Sequence, residues 1–267
     1  KLWQGLGYYS RARNIHFTAK YICTHLEGNF PNNYKELLKL KGIGPYTAAA
    51  ISSICFKEKQ AAVDGNVYRV LSRVFEIKTA INSSKGIKEC QNLADSLICE
   101  EDPGDYNQAL MELGATVCTP KNTNCHNCPL QSICLGFSKN TFKDLPVKER
   151  KIKIRDRFFT YYCIEYKDQI LLKKREEKGI WQNLYDFPLE ESEKEIDQLA
   201  EPNVSYLKKL IGDNEFSTEK INCYKHKLSH QHLHIKIKHI KTNYLEKHDK
   251  LLLVKKREIS KYPVPKP

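Results

Sequence analysis

Four cysteines, Cys118, Cys125, Cys128 and Cys134, stand in the spacing C-x6-C-x2-C-x5-C. Thiolates this crowded can wrap a single inorganic cluster, with Pro129 stiffening the turn after Cys128. A zinc site with four thiolate ligands is the competing reading, but such sites commonly bring two C-x-x-C knuckles and only one occurs here. A second constellation is Leu40-Lys41-Gly42-Ile43-Gly44-Pro45-Tyr46. Two glycines around one apolar residue let the backbone turn sharply, and they let the N–H groups of the next helix approach a phosphate. Ile43 is expected to plug this turn into the core. Downstream lies Val63-Asp64-Gly65-Asn66-Val67. Alone, Asp64 reads as a helix cap; beside the glycine turn it becomes a candidate for chemistry.

The elements that must position these residues change character near residue 140. Before it, apolar residues recur at helical spacing. Ala12, Ile15, Ala19, Ile22 and Leu26 form one stripe, and Gly28 sits where that helix would end. Leu37, Leu38 and Leu40 mark a short helix before the glycine turn, and Pro45 suits the first turn of the next, whose face is Ala48, Ala49, Ile51 and Ile54. Val67, Val70, Leu71 and Val74 mark another, then Ile87, Cys90, Leu93, Ala94 and Leu97; Asp105 could cap a helix carrying Ala109, Leu110 and Leu113. Residues 136–156 are polar and basic and read as a surface linker. Beyond them FFTYYCIEY and QILLKKR flank a Lys-Asp turn, and LHIKIKHIK alternates with period two. A helix near 190–200 and another near 204–211 complete a small α+β domain.

The chain has 267 residues with 44 Lys plus Arg against 32 Asp plus Glu, a net charge of +12. This excess favours encounter with nucleic acid. No window approaches the roughly 18 consecutive apolar residues of a membrane span, and no secretion signal opens the chain. The six other cysteines, Cys23, Cys55, Cys90, Cys99, Cys163 and Cys223, read as buried, reduced core thiols. The histidines at 226, 230, 232 and 234 invite a metal reading, against which strand alternation and surface placement weigh more.

The glycine turn with its downstream Asp resembles the helix–hairpin–helix DNA glycosylases. Gly44-Pro45-Tyr46-Thr47-Ala48, Val63-Asp64-Gly65-Asn66-Val67 and the opening Gly5-Leu6-Gly7-Tyr8-Tyr9-Ser10-Arg11-Ala12-Arg13 are similar to its adenine DNA glycosylase branch. The likeness runs from Leu2 onward. It implies a multi-domain protein. Residues 1–135 would be an all-α glycosylase domain with a [4Fe–4S] cluster loop at 118–134, followed by a linker over 136–156. Residues 157–267 would be a Nudix-like α+β domain that recognises 8-oxoguanine. The segment Gly179-Ile180-Trp181-Gln182-Asn183-Leu184-Tyr185-Asp186-Phe187-Pro188 is similar to the family's Nudix stretch, yet the LEESEKEIDQLAEP that follows lacks the carboxylate spacing of a metal-dependent Nudix hydrolase. By the resemblance, Asp64 stabilises positive charge developing on the deoxyribose. Asn66 and Tyr46 line that pocket, Gly42, Ile43 and Gly44 hold a DNA phosphate, and Tyr8 inserts into the duplex. The four cysteines ligate the cluster, whose loop offers Lys121, Lys139 and Lys143 to DNA. His226-Lys227-Leu228-Ser229-His230 is similar to the loop that contacts 8-oxoguanine, with Leu228 in place of a Phe.

The implied reaction is hydrolysis of the N-glycosidic bond of adenine opposite 8-oxoguanine or guanine in double-stranded DNA. The enzyme would be monofunctional, monomeric, and in a bacterium cytoplasmic at the nucleoid. An endonuclease III-like enzyme would carry a Schiff-base lysine where Tyr46 stands. A non-catalytic lesion-binding protein is the rival from another class. The family's general-acid Glu is expected upstream of this chain, whose only Met is Met111, so an N-terminally truncated and inactive fragment is expected.

Overall fold

The structure, a computed structural model, describes residues 2–3, 6–149, 154–192, 204–212, 215–228, 230–245 and 251–265. Ser229, Gly5 and most of the helix expected near 190–200 lie outside them. The chain divides into two compact units, residues 10–151, and residues 1–9 with 152–267.

The first unit is helical: α1 (Tyr9–His25), α2 (Tyr34–Leu37), α3 (Pro45–Phe56), α4 (Gly65–Val74), α5 (Ser84–Leu97), α6 (Pro103–Thr116) and α7 (Leu135–Ser138). The stripe expected on α1 is only half right. Thr18 and Ile22 are buried and Leu26 packs with Leu37, Leu40 and Ala48, whereas Ile15 and Ala19 face solvent. Rows four residues apart meet one neighbour, and here that row is 18, 22, 26. On α4 the expected face is buried in full, with Val67, Val70, Leu71 and Val74 in the core. The cap of α6 is Asp102, followed by Pro103 at the first helical position, and not Asp105, which lies inside the first turn. Proline there needs no N–H partner, and the helix starts three residues earlier than an Asp105 cap would place it.

The stretch expected as a linker departs from that reading over residues 136–149. It carries part of α7 and buries Leu145, and Ile81 N–H donates to Val147 O (3.0 Å). Its polar residues surround one apolar anchor, which a window average hides. Four of the six scattered cysteines, Cys23, Cys55, Cys99 and Cys223, are exposed, and only Cys90 and Cys163 are buried. Burial pushes the Cys163 thiol up to about 11.

Among the described residues the second unit is a mixed seven-stranded sheet: β1 (Arg155–Tyr166), β2 (Gln169–Lys174), β3 (Tyr185–Asp186), β4 (Leu189–Ser192), β5 (Phe216–Lys227), β6 (Gln231–Thr242) and β7 (Leu251–Lys255), with α8 (Val204–Ile211). Its order is β3-β2-β1-β6-β5, with β4 added to β1 and β7 to β2. The Lys-Asp turn joins β1 to β2 as expected, Tyr166 pairing Gln169. The centre is a long parallel ladder, Arg155 against Gln231 through Tyr166 against Thr242. One core lies on each side of it. Phe159, Tyr161, Leu233 and Ile235 pack with Trp181, and Tyr162, Ile164 and Ile240 pack with Leu207, Leu210 and Ile211 of α8. Period-two alternation on both central strands creates the two faces.

Candidate functional site

The glycine turn is built as its residue types demand. Gly42 has φ +87°, and a Cβ there would lie 2.5 Å from Asn14 Cβ, so only glycine fits. Thr18 Oγ1 donates to Lys41 O (2.7 Å), and Ile43 packs against Ile22, Leu37, Leu40 and Ala48. Gly44 precedes α3, no side chain caps that helix, and nothing lies within 4 Å of a Cβ on Gly44. The leading N–H groups of α3 are therefore open to an anion.

Asp64 caps α4, and its carboxylate is held at both oxygens. Oδ1 accepts the N–H groups of Asn66 and Val67 (2.8 Å each), and Oδ2 accepts Asn66 Nδ2 (3.1 Å). Cap and candidate catalytic group are thus one side chain. The chain continues inward, since Arg69 donates to Asn66 Oδ1 (2.8 Å), to Gly114 O (2.6 Å) and to Cys118 O (2.7 Å). Burial lowers the Arg69 pKa, Cys118 opposes it, Arg73 adds to it and Asp64 opposes it. Gly114 lets α6 come this close, because a Cβ there would meet Asn66 Cβ at 2.6 Å. Tyr46, 42% exposed, donates through Oη to Met111 Sδ (3.3 Å) on α6, and Met111 packs beside Val63 and Val67. Tyr46, Asp64 and Asn66 are therefore gathered along α6, without a direct hydrogen bond between Tyr46 and Asp64.

Cys118, Cys125, Cys128 and Cys134 line one cavity of about 30 Å³, closed by Val70, Val74, Leu113 and Phe137. Among the described residues no three His, Cys, Asp or Glu side chains are grouped tightly enough for a single metal ion. The four thiols line one apolar cavity, and thiolates so placed are ligands suited to iron–sulfur clusters and to zinc alike. Arg73 braces the loop. Its guanidinium donates to Cys118 Sγ (3.3 Å), Thr119 O (2.8 Å), Phe142 O (2.9 Å) and Leu145 O (3.1 Å). Burial raises the Cys128 thiol, so a thiolate there needs a cationic partner. Lys121 and Lys143 are exposed, but Lys139 is engaged by Glu76 (2.5 Å).

In the sheet unit Leu228 closes the β5–β6 hairpin, its N–H donating to Gln231 O (2.8 Å), and its side chain packs against the cluster holding Trp181 and Leu233. His230 is exposed and its carbonyl accepts Arg155 N–H (3.3 Å). Tyr8, which groups with this unit, is 81% exposed at φ +44°. Glu190 accepts Tyr162 Oη (2.7 Å), and Glu191 takes Arg157 at both oxygens (2.6 and 2.7 Å), so both carboxylates are engaged within the sheet. Arg69, Arg73, Met111 and Gly114 escaped the sequence reading. Two arginines four residues apart on the otherwise apolar face of α4 were the available signal.

The family model described as a helix-hairpin-helix motif matches residues 25–54, and that described as a NUDIX domain matches residues 160–267. The fold is thus a helix–hairpin–helix unit followed by a Nudix-like α+β unit. Adenine DNA glycosylase of Buchnera aphidicola subsp. Acyrthosiphon pisum is 31% identical, covering 94% of this chain and 71% of the relative. That of subsp. Baizongia pistaciae is 38% identical over 88% of this chain. A solved thermostable thymine-DNA glycosylase is 32% identical with TM-score 0.45, covering 49% of this chain and 59% of that one. The chain belongs to the adenine DNA glycosylase family. It spans 64% and 65% of the length of two Buchnera relatives.

Proposed function

We propose that the protein carrying this chain hydrolyses the N-glycosidic bond of adenine mispaired with 8-oxoguanine or guanine in duplex DNA. The observation that carries this is the Asp64 carboxylate, fixed at both oxygens at the head of α4 beside the Tyr46–Met111 contact. A carboxylate held this way needs little reorganisation when positive charge develops on the flipped nucleotide's sugar. Gly42, Ile43 and Gly44 would hold a phosphate, and Tyr8 would enter the duplex. Tyr46 brings no amine, so the chain offers no imine chemistry at that position. Cys118, Cys125, Cys128 and Cys134 would hold a [4Fe–4S] cluster, which would stiffen their loop and supply no chemistry to the hydrolysis, while Arg73 links that loop to α4. The test is single-turnover adenine release from an A:8-oxoguanine duplex by the protein carrying this chain, with the abasic product revealed by alkali. Strand cleavage without alkali, or release equal from A:T and A:8-oxoguanine duplexes, would overturn the reading.

Leu228, Ser229 and His230 would read the lesion. Ser229→Ala with His230→Ala is expected to lower the preference for A:8-oxoguanine over A:G by on the order of 1–3 kcal/mol, because base-edge contacts carry discrimination. The measurement is the ratio of affinities at one fixed salt concentration. An unchanged ratio would make the loop ordinary strand-connecting structure.

A further inference from the structure

One row of α6 faces both parts of the candidate site. Residues 107, 111 and 114 are four and three positions apart, so they stand along one side of that helix. At one end Asn107, 2% exposed, makes three hydrogen bonds. Its Oδ1 accepts Ala62 N–H (3.0 Å), and its Nδ2 donates to Gln60 O (2.9 Å) and Ser53 Oγ (2.9 Å). It thereby ties the segment leading to Asp64 onto α3, the helix that carries Tyr46. At the other end the bare Gly114 admits Asn66, and its carbonyl accepts Arg69. Met111 stands between them. Its side chain packs against the cluster of Val63 and Val67; Val63 precedes Asp64, and Val67 donates its N–H to Asp64 Oδ1. Its Sδ accepts Tyr46 Oη (3.3 Å).

The chemistry of the acceptor sets the direction of this bond. A thioether has lone pairs and no proton, so the phenol must be the donor, and its oxygen is left free to accept. Among the described residues this is the one hydrogen bond that the Tyr46 side chain makes. Tyr46 also belongs to none of the buried clusters, so burial does not fix its ring and its aim depends on the sulfur.

We propose that Met111 is a positioning residue for excision: its sulfur takes the Tyr46 phenol proton, so that the phenol oxygen meets the reacting sugar as an acceptor, while the same side chain backs the Asp64 cap. This rests on the reading of Tyr46 and Asp64 as the excision site. An oxygen lone pair held there adds to the negative charge of Asp64 as the sugar becomes cationic, and it needs no reorganisation at that moment. The structural alternative is a methionine that fills an irregular gap, its flexible thioether touching the phenol incidentally.

Met111→Leu separates the two. Leucine keeps the volume and the apolar packing and removes the acceptor, so the melting temperature should hold within about 3 °C. In the protein carrying this chain, single-turnover adenine release should fall about tenfold, the most that one neutral hydrogen bond commonly supplies, with duplex affinity unchanged. Tyr46→Phe should lose at least as much. Combining Tyr46→Phe with Met111→Leu should lose no more than Tyr46→Phe alone, because the sulfur acts through the phenol. A second measurement needs no excision. With carbon-13 in the methionine methyl groups, the Met111 signal is the one that disappears in Met111→Leu. That signal should move in Tyr46→Phe, where the phenol proton no longer meets the sulfur. The proposal is overturned by parental release in Met111→Leu, by losses that multiply in the double variant, or by a methyl signal that stays in place in Tyr46→Phe. A parent protein that releases no adenine overturns the reading of the site and this proposal with it, whereas failure of the proposal alone shows as normal parental release with an unmoved methyl signal.

Discussion

In the protein that carries this chain, Asp64→Asn is expected to cut single-turnover adenine release by about a hundredfold or more while leaving duplex affinity nearly intact. The substitution keeps the shape and the helix cap, since an amide oxygen can still accept the N–H groups of Asn66 and Val67 as Oδ1 does now. What disappears is the negative charge facing the developing sugar cation, an electrostatic loss commonly worth about 3 kcal/mol or more. One local conflict arises, because the new amide nitrogen would meet Asn66 Nδ2 where Oδ2 now accepts it. A flip of either amide relieves this at a cost of about 1 kcal/mol in stability, too small to explain a hundredfold rate loss. Comparing release rates under enzyme excess with affinities from equilibrium binding separates the effects. A rate within about threefold of the parent would reduce Asp64 to a cap.

Arg73→Ala is expected to be the most damaging substitution for the helical unit. The side chain is 3% exposed and donates to Phe142 O, Leu145 O, Thr119 O and Cys118 Sγ. Alanine would leave these acceptors buried without a donor, each at about 1–3 kcal/mol, and would open space beside the cysteine cavity. A stability loss of about 4 kcal/mol or more follows, with a fall in melting temperature on the order of 10 °C. The parent protein should hold about four irons per chain if the cluster is [4Fe–4S], and the variant should lose most of them. Arg73→Lys keeps the charge but not the fork of donors, and should fall between the two. Unchanged melting and iron content in Arg73→Ala would show that the cysteine loop holds itself.

Local chemistry was legible in the residues alone where one side chain or one turn decides the outcome. Gly42 announces a turn that a Cβ would block, and the structure shows that obstruction at Asn14. Alternation in β6 announces a strand, because period two sends successive side chains to opposite faces; that both faces are covered, by the Trp181 cluster and by α8, appears only in the fold. Asp64 before an apolar helix announces its cap. Relations across many residues were not legible. That the inner row of α1 runs through Thr18 and not Ile15 depends on what packs beside it, and apolar side chains on two flanks of one helix do not say which is covered. The residues called a linker fold back because Leu145 finds a core and Arg73 finds their carbonyls, a match between residues 69 and 72 positions apart. Arg69 carries no visible motif, yet it joins Asn66 to the backbone of Gly114 and Cys118, and so links the candidate catalytic carboxylate to the cysteine loop. Residue type and short spacing determine a cap, a turn or a strand face. Which buried cation meets which carbonyl is decided only when α4 and α6 come together, because the driving cost, an unpaired polar group in the core, exists only in the folded state.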